Sequence, residues 1–331
     1  MYKGGYMLPY KLKKRDTIGV VSSSEPITED RIIDIESSTK FFEGLGLKIK
    51  LGKYLKSNEL GYGTTAKNKA EDFNEMFKDK EVKAIFCACG GYNVNAIFDY
   101  LDYEEIKKNP KIICGYSDPT SLINAIYSQT GLVTFHGPNF GSLADTEEGV
   151  EKYTRQEVIK RFIEGNLQLG NNEDEYKTIK EGQAEGVLVG GNLSLISHLV
   201  AGKYKLDFTD KILFIEELAY ESPAGMASNY LYYMKQNGVF DKIKGIWIGA
   251  YESEISLEKI VLDTIGDEYN FPIIKSNNFG HIPKKTVIPI GVKAKIDTCE
   301  KEKIKLLENC VQEYGGSFCC ENGKCNTFLF P

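Results

Sequence analysis

Apolar and polar positions follow two rhythms along this chain, and the change between them falls near its middle. In the first half, short wholly apolar runs alternate with stretches of helical spacing. Thr17–Val21 (TIGVV) runs into Ser22-Ser23-Ser24, which reads as a strand entering a loop. The spacing predicts a helix over 29–45, with Thr28 as N-cap and Gly46 as its stop. A short strand Lys48–Leu51 follows, then a helix Ala66–Lys78 with Phe73, Met76 and Phe77 on its apolar side. Residues 84–89 (AIFCAC) are apolar throughout and precede Gly90-Gly91 and a helix around 94–101. Ile112–Gly115 is another buried strand, and Pro119 opens a helix through Thr130. Repeated strand–helix units with apolar strands predict a parallel sheet covered on both faces.

The rhythm then breaks. Residues 165–186 are polar and acidic, with Asn171-Asn172-Glu173-Asp174-Glu175 and no periodicity, which reads as a linker. Beyond it come Gly190-Gly191-Asn192-Leu193, a strand over 211–215 (KILFI) running into Glu216-Glu217, a helix over 227–236, and a strand over 245–249 (GIWIG). Further strands are expected around 271–274, 286–289 and 303–307. Strands outnumber helices here. The expected organisation is an α/β first domain (1–165), a linker (166–186) and a smaller β-rich α+β domain (187–331).

Composition narrows the function. The chain has 331 residues, 42% hydrophobic and 27% charged, enough for two cores. A net charge of −6 and a pI near 5.4 give no electrostatic reason to bind nucleic acid or an anionic membrane. A small molecule or peptide is the expected partner. No apolar run is long enough for a signal peptide or a spanning helix, so the expected location is the cytoplasm. Of the eight cysteines, Cys87, Cys89 and Cys114 sit in apolar strands, which suits reduced thiols rather than a disulfide framework. Cys299, Cys310, Cys319, Cys320 and Cys325 contain no CxxC and have no histidine among them, so neither metal nor cofactor is expected.

Three features carry chemistry. In Gly115-Tyr116-Ser117-Asp118-Pro119 a buried strand ends in glycine, a serine follows two residues on, and a helix opens at proline. That is the layout of a nucleophile elbow, with GxSxP in place of GxSxG. It would also aim the Asp118 N–H at a developing oxyanion. The competing reading is that Ser117 or Asp118 only caps the helix. Gly90-Gly91 follows another strand in the same way and could give a second backbone donor through Gly91, or be a plain turn. A serine hydrolase needs a base, and there are three histidines. His198, with apolar neighbours at helical spacing, is expected to be buried. His136 and His281 both lie on loops and are rivals. The carboxylate that orients the base is Glu216 or Glu217, between which strand alternation cannot choose.

Together these segments resemble the LD-carboxypeptidase family of serine peptidases, which includes the microcin C self-immunity peptidases. The resemblance rests on LKKRDTIGVVSSS, EVKAIFCACGGYNVNAIFDYLDYEEI, NPKIICGYSDPTSL, FHGP, GGNL, KILFIEE and FGHIPKKTVIPIG, in that order along nearly the whole chain. It implies a Rossmann-like first domain, a smaller β-rich second domain and a site in the cleft between them. It places the nucleophile at Ser117, the acid at Glu216, the base at His281, and the oxyanion donors at the Gly91 and Asp118 amides. Gly90 and Asn192 would line the cleft, and family members are commonly dimers. Murein-cleaving members tend to carry arginine just before the glycine pair, where this chain has Cys89. That difference favours the immunity-type branch.

Two substrates follow. An immunity-type enzyme would cleave the amide of an aminoacyl-nucleotide and needs an aromatic platform for the base, for which Trp247 and Tyr251 are candidates. A murein tetrapeptide carboxypeptidase needs a cation for a terminal carboxylate. The four arginines, at 15, 31, 155 and 161, lie in no recognised motif. A non-catalytic binding protein on the same frame is the alternative of another class, and a glutaminase-like enzyme would show cysteine at the elbow.

Overall fold

Residues 6–314 are described in a computed structural model of the chain; Cys319, Cys320 and Cys325 lie outside the described residues. The first half builds strand and helix in turn. The elements are β1 (Thr17–Val21), α1 (Ile32–Gly44), β2 (Lys48–Leu51), α2 (Ala66–Lys78), β3 (Val82–Cys87), α3 (Tyr103–Lys108), β4 (Ile112–Gly115), α4 (Pro119–Thr130) and β5 (Thr134–His136). Every residue of β1 and β4 is buried, as both-face coverage requires. Strands β5, β4, β3, β1 and β2 lie side by side and parallel. Residues 29–31 form a 3₁₀ turn rather than the start of α1, and Thr28 makes no side-chain cap bond. The segment expected as a helix around 94–101 is likewise 3₁₀, over Val94–Tyr100.

The second half contributes α5 (Glu151–Ile159), β6 (Tyr176–Lys180), β7 (Gln183–Asn192), α6 (Leu193–Ser197), β8 (Lys211–Glu216), α7 (Ala224–Gln236), β9 (Gly245–Ile248), α8 (Leu257–Ile265), β10 (Ile273–Ser276), β11 (Ile288–Ile290), β12 (Lys293–Asp297) and β13 (Ile304–Leu306). Seven of these strands form a second sheet, ordered β13-β12-β7-β8-β9-β10-β6. Its centre, β7 to β10, is parallel. Two expectations change. The stretch read as a linker contains β6, an antiparallel edge strand on β10, where pairing rather than hydrophobic pattern supplies the order. The strand expected near 286–289 is β11, and it joins the first sheet, antiparallel to β5 with Ile288 opposite His136.

The halves pack through α4. Its Asn124 amide donates to the Gly190 carbonyl at 2.8 Å, and its carbonyl oxygen accepts the Gly190 N–H at 3.3 Å. The side of β8 that meets the first half carries Phe214, whose ring lies 6.0 Å from Phe279 and 6.4 Å from Trp247. Parallel strands bring their carboxyl ends together where loops open, so the end of β4 and the end of β8 face a shared cleft.

Candidate active site

Ser117 sits two residues beyond β4 with φ +67°, a left-handed backbone that costs a non-glycine residue on the order of 1–2 kcal/mol. That conformation turns the chain into α4 and lifts the hydroxyl off the sheet. The Ser117 carbonyl accepts the Thr120 N–H at 2.8 Å, which closes the first turn of the helix. The side chain caps nothing: its Oγ lies 3.0 Å from His281 Nε2. His281 Nδ1 lies 2.7 Å from Glu216 Oε2. Glu216 is the last residue of β8 and fully buried, whereas the imidazole is largely buried but keeps 13% of its side chain exposed. His281 comes from the loop after β10, where Gly280 lets the chain pass close over the Glu216 side chain. Serine, imidazole and carboxylate thus form one hydrogen-bonded line drawn from three elements.

Burial lowers the proton affinity of His281, but the charge and hydrogen bond of Glu216, with Glu217 behind, more than compensate and raise it above 6.5. The rival His136 is buried in β5, and burial holds its pKa down at about 4 despite the Glu216 charge. It does not touch Ser117. His198, expected to be buried, is exposed: α6 ends at Ser197, and His198 follows it onto the wall of the cleft. Glu217 points away from the imidazole. It accepts the Asn192 amide at 2.8 Å and the Ser194 N–H at 2.8 Å, and burial raises its pKa.

The glycine loop approaches the serine from the other side. A Cβ on Gly90 would stand 3.0 Å from Ser117 Cβ and 3.1 Å from its Oγ, close enough that the serine would have to shift to admit it. Gly91 has φ +124° and packs against Glu25. Asp118 does not cap α4; its buried carboxylate accepts the Val94 N–H at 2.9 Å, tying the elbow to the far end of the glycine loop. Burial pushes the Asp118 carboxyl up to about 6, against the pull of that bond and of the Lys69 charge. Lys69, itself buried, donates to the Ser24 carbonyl under the same loop.

The cleft beside Ser117 encloses about 710 Å³ and is lined by Gly91, Asn192 and a set of aromatic groups, Tyr92, Phe98, Tyr204 and Tyr230. Asn192 lines it, but its side chain is spent on capping α6 and on Glu217. Trp247 does not reach the cleft: it is fully buried and donates to Ser276 Oγ at 2.8 Å. Tyr251 is also buried, with its hydroxyl on the Ser222 carbonyl. Two cationic groups that had been assigned no role, Arg31 among the four arginines and Lys285 within FGHIPKKTVIPIG, stand beside Tyr116. Arg31 lines a second cavity of about 320 Å³ with Cys89, Gly90 and Tyr116. Lys285, its ammonium 5.0 Å over the Tyr116 ring, is drawn down to about 8 by burial, opposed by Glu216. Among the described residues no cluster of three or more His, Cys, Asp or Glu is placed to hold a metal.

A serine on a strained strand-to-helix turn, set against a histidine and a buried acid, marks this two-sheet protein as a serine-type hydrolase. The LD-carboxypeptidase N-terminal domain matches residues 18–137, and the LD-carboxypeptidase C-terminal domain matches residues 185–296. The chain belongs to the LD-carboxypeptidase family. It is 35% identical to the probable murein peptide carboxypeptidase of Bacillus subtilis, over 91% of this chain and 96% of that protein. It is 29% identical to the microcin C7 self-immunity protein MccF of Escherichia coli, over 88% and 93%. A solved structure of MccF in complex with glutamyl sulfamoyl guanosine superposes with a TM-score of 0.83 at 26% identity, covering 92% of this chain and 99% of that one.

Proposed function

We propose that this chain hydrolyses the amide bond joining an aminoacyl group to a nucleotide-like leaving group, through Ser117, His281 and Glu216. The observation that carries this reading is the unbroken line Ser117 Oγ–His281–Glu216, at 3.0 and 2.7 Å, opening onto a tyrosine-rimmed cleft. His281 takes the hydroxyl proton as Oγ attacks the carbonyl carbon. The Gly91 and Asp118 amides receive the oxyanion, and Glu216 holds the imidazolium. The tetrahedral intermediate collapses, His281 returns the proton to the leaving nitrogen, and the acyl-enzyme forms. Water, activated by the same imidazole, then releases the acid and regenerates the serine. The cleft volume suits a ligand of nucleotide size. With Trp247 in the core, the platform for a base falls to the cleft tyrosines, among which Tyr92 and Tyr230 stand at the rim.

A second reading is favoured by Arg31 and by the 35% identity to a probable murein peptide carboxypeptidase: removal of a terminal D-amino acid whose carboxylate meets that guanidinium. The division at 165 and 187, a homodimer and a cytoplasmic location belong to the same proposal.

Ser117→Ala tests the mechanism. Loss of the nucleophile is expected to lower kcat by at least about 10³-fold and to abolish labelling by a fluorophosphonate. Full retained activity would refute the mechanism. Mass spectrometry of products from an aminoacyl sulfamoyl adenosine and from a murein tetrapeptide decides the substrate. We expect the former to be turned over with the higher kcat/KM.

A further inference from the structure

His136 is the one buried histidine that the proposed reaction leaves unused, and it lies directly behind the site. It ends β5, opposite Gly115 of β4, the residue two before Ser117. Its ring stands 6.3 Å from Tyr116, 5.5 Å from Phe214 and 6.0 Å from Phe279. Phe214 and Glu216 are two apart on β8 and so share a face. Tyr116 also touches the His281 ring, at 5.1 Å. The imidazole of His136 is therefore boxed by three aromatic rings on the inner side of the Glu216–His281 pair.

Two buried polar groups in this box have no hydrogen-bond partner among the described residues. Neither ring nitrogen of His136 has one, and neither does Glu216 Oε1, the oxygen turned away from His281. A neutral imidazole always carries one N–H, and a buried donor left unmade costs on the order of 1–3 kcal/mol. The rings around it offer no acceptor of comparable strength. The carboxylate oxygen is an acceptor with the opposite deficit.

We propose that His136 is a positioning residue whose ring N–H serves Glu216 Oε1 through one buried water, and so fixes the carboxylate that orients His281. This rests on the triad reading above. The low proton affinity of His136 supports it, because a neutral ring can donate through that water to Glu216 without cancelling its charge and displacing His281 as its partner. A donor on Oε1 also withdraws charge from the carboxylate. Removing it should make Glu216 hold the His281 proton more tightly. The charged groups facing His281 are Glu216, Glu217 and Lys285, and those facing His136 are Glu216 and His281.

The chain has only three histidines, so ¹⁵N-histidine NMR resolves each ring. We expect a protected His136 ring N–H, hydrogen-bonded to a water that Glu216 Oε1 polarises, whose resonance shifts in Glu216→Gln. An unchanged His136 resonance in that variant overturns the proposal, and this readout does not depend on turnover. In kinetics, His136→Phe is expected to lower kcat on the order of 10- to 100-fold, the loss of one hydrogen bond to a charged group, with KM held. The acid limb of kcat/KM should move to higher pH. His136→Gln, which keeps a donor, should recover most of the rate. A His136→Phe enzyme with unaltered kcat and acid limb would also overturn it. If instead Ser117→Ala stays active, the triad reading fails while the NMR response remains to be read on its own.

Discussion

Ser117 and the two histidines near it show how one residue type takes opposite roles from its surroundings. In the proposed reaction His281 must be neutral to accept the serine proton, and Glu216 raises its pKa above 6.5. Activity should therefore fall as pH drops through that raised value, and a kcat/KM profile should show an acid limb above 6.5 rather than below it. The same shift acts on stability with its own sign. The folded form holds the His281 proton more tightly than the unfolded chain, so this group stabilises below about 6.5, and the benefit is lost as pH rises through the folded pKa. His136 runs the other way. Its folded pKa of about 4 lies below the unfolded value, so its contribution is present above about 6.5 and is lost as pH falls toward 4. That loss amounts to about 3 kcal/mol at full extent. Denaturant midpoints at pH 7 and pH 5 should show the decline, and His136→Phe should flatten it.

At the scale of elements, the site depends on two strand-to-helix connections pressed together. The elbow after β4 and the loop after β3 approach so closely that a Cβ on Gly90 would press on the Ser117 side chain. The Asp118 carboxylate pins Val94 at the end of that loop. Gly90→Ala is expected to displace the hydroxyl by a few tenths of an ångström or more and to lower kcat by about 100-fold, since misplacement of that order spoils attack geometry. The clash is with one side chain, so the fold should persist. An active enzyme with normal fluorophosphonate labelling would show that the loop yields. Glu216 and Glu217 are separated at this scale too. Glu216 ends β8 and faces the imidazole, while Glu217, one residue further on, accepts the Asn192 amide and the Ser194 N–H at the start of α6.

Across the whole molecule, the halves exchange structure rather than merely touching. Strand β11, from the second half, completes the edge of the first sheet. Arg161, fully buried, holds this return: Nη2 donates to the Gln168 carbonyl at 2.8 Å, Nε to the Val287 carbonyl at 3.2 Å, and Nη1 to the Asn166 carbonyl. Arg161→Met would leave three carbonyls without their donor, at a cost of about 3 kcal/mol or more. We expect a Tm lower by roughly 5–10 °C, with kcat per folded molecule unchanged. A Tm within 2 °C of the parent, on the order of 1 kcal/mol or less, would contradict the role given to this residue.

Much of the fold was legible along the chain because the parallel strands are buried on both faces and read as unbroken apolar runs, as in TIGVV and KILFI. The elbow was legible because glycine, serine and proline sit at the spacing that a strand-to-helix turn demands. Strand β6 was not, since its polar residues take their order from pairing with β10. His198 was misplaced because α6 stops one residue before it. The amino-acid order by itself determined strands β1, β2, β3 and β4 and helices α2 and α4, the net negative charge and the short set of groups able to do acyl-transfer chemistry. Local pattern left open which histidine meets the serine and which glutamate meets the histidine, and the family resemblance pointed to His281 and Glu216. Only the tertiary structure brought those groups within hydrogen-bond distance and put Trp247 in the core. Those choices depend on how strands more than 60 residues apart along the chain are set side by side, and local pattern carries no distance information across such a gap.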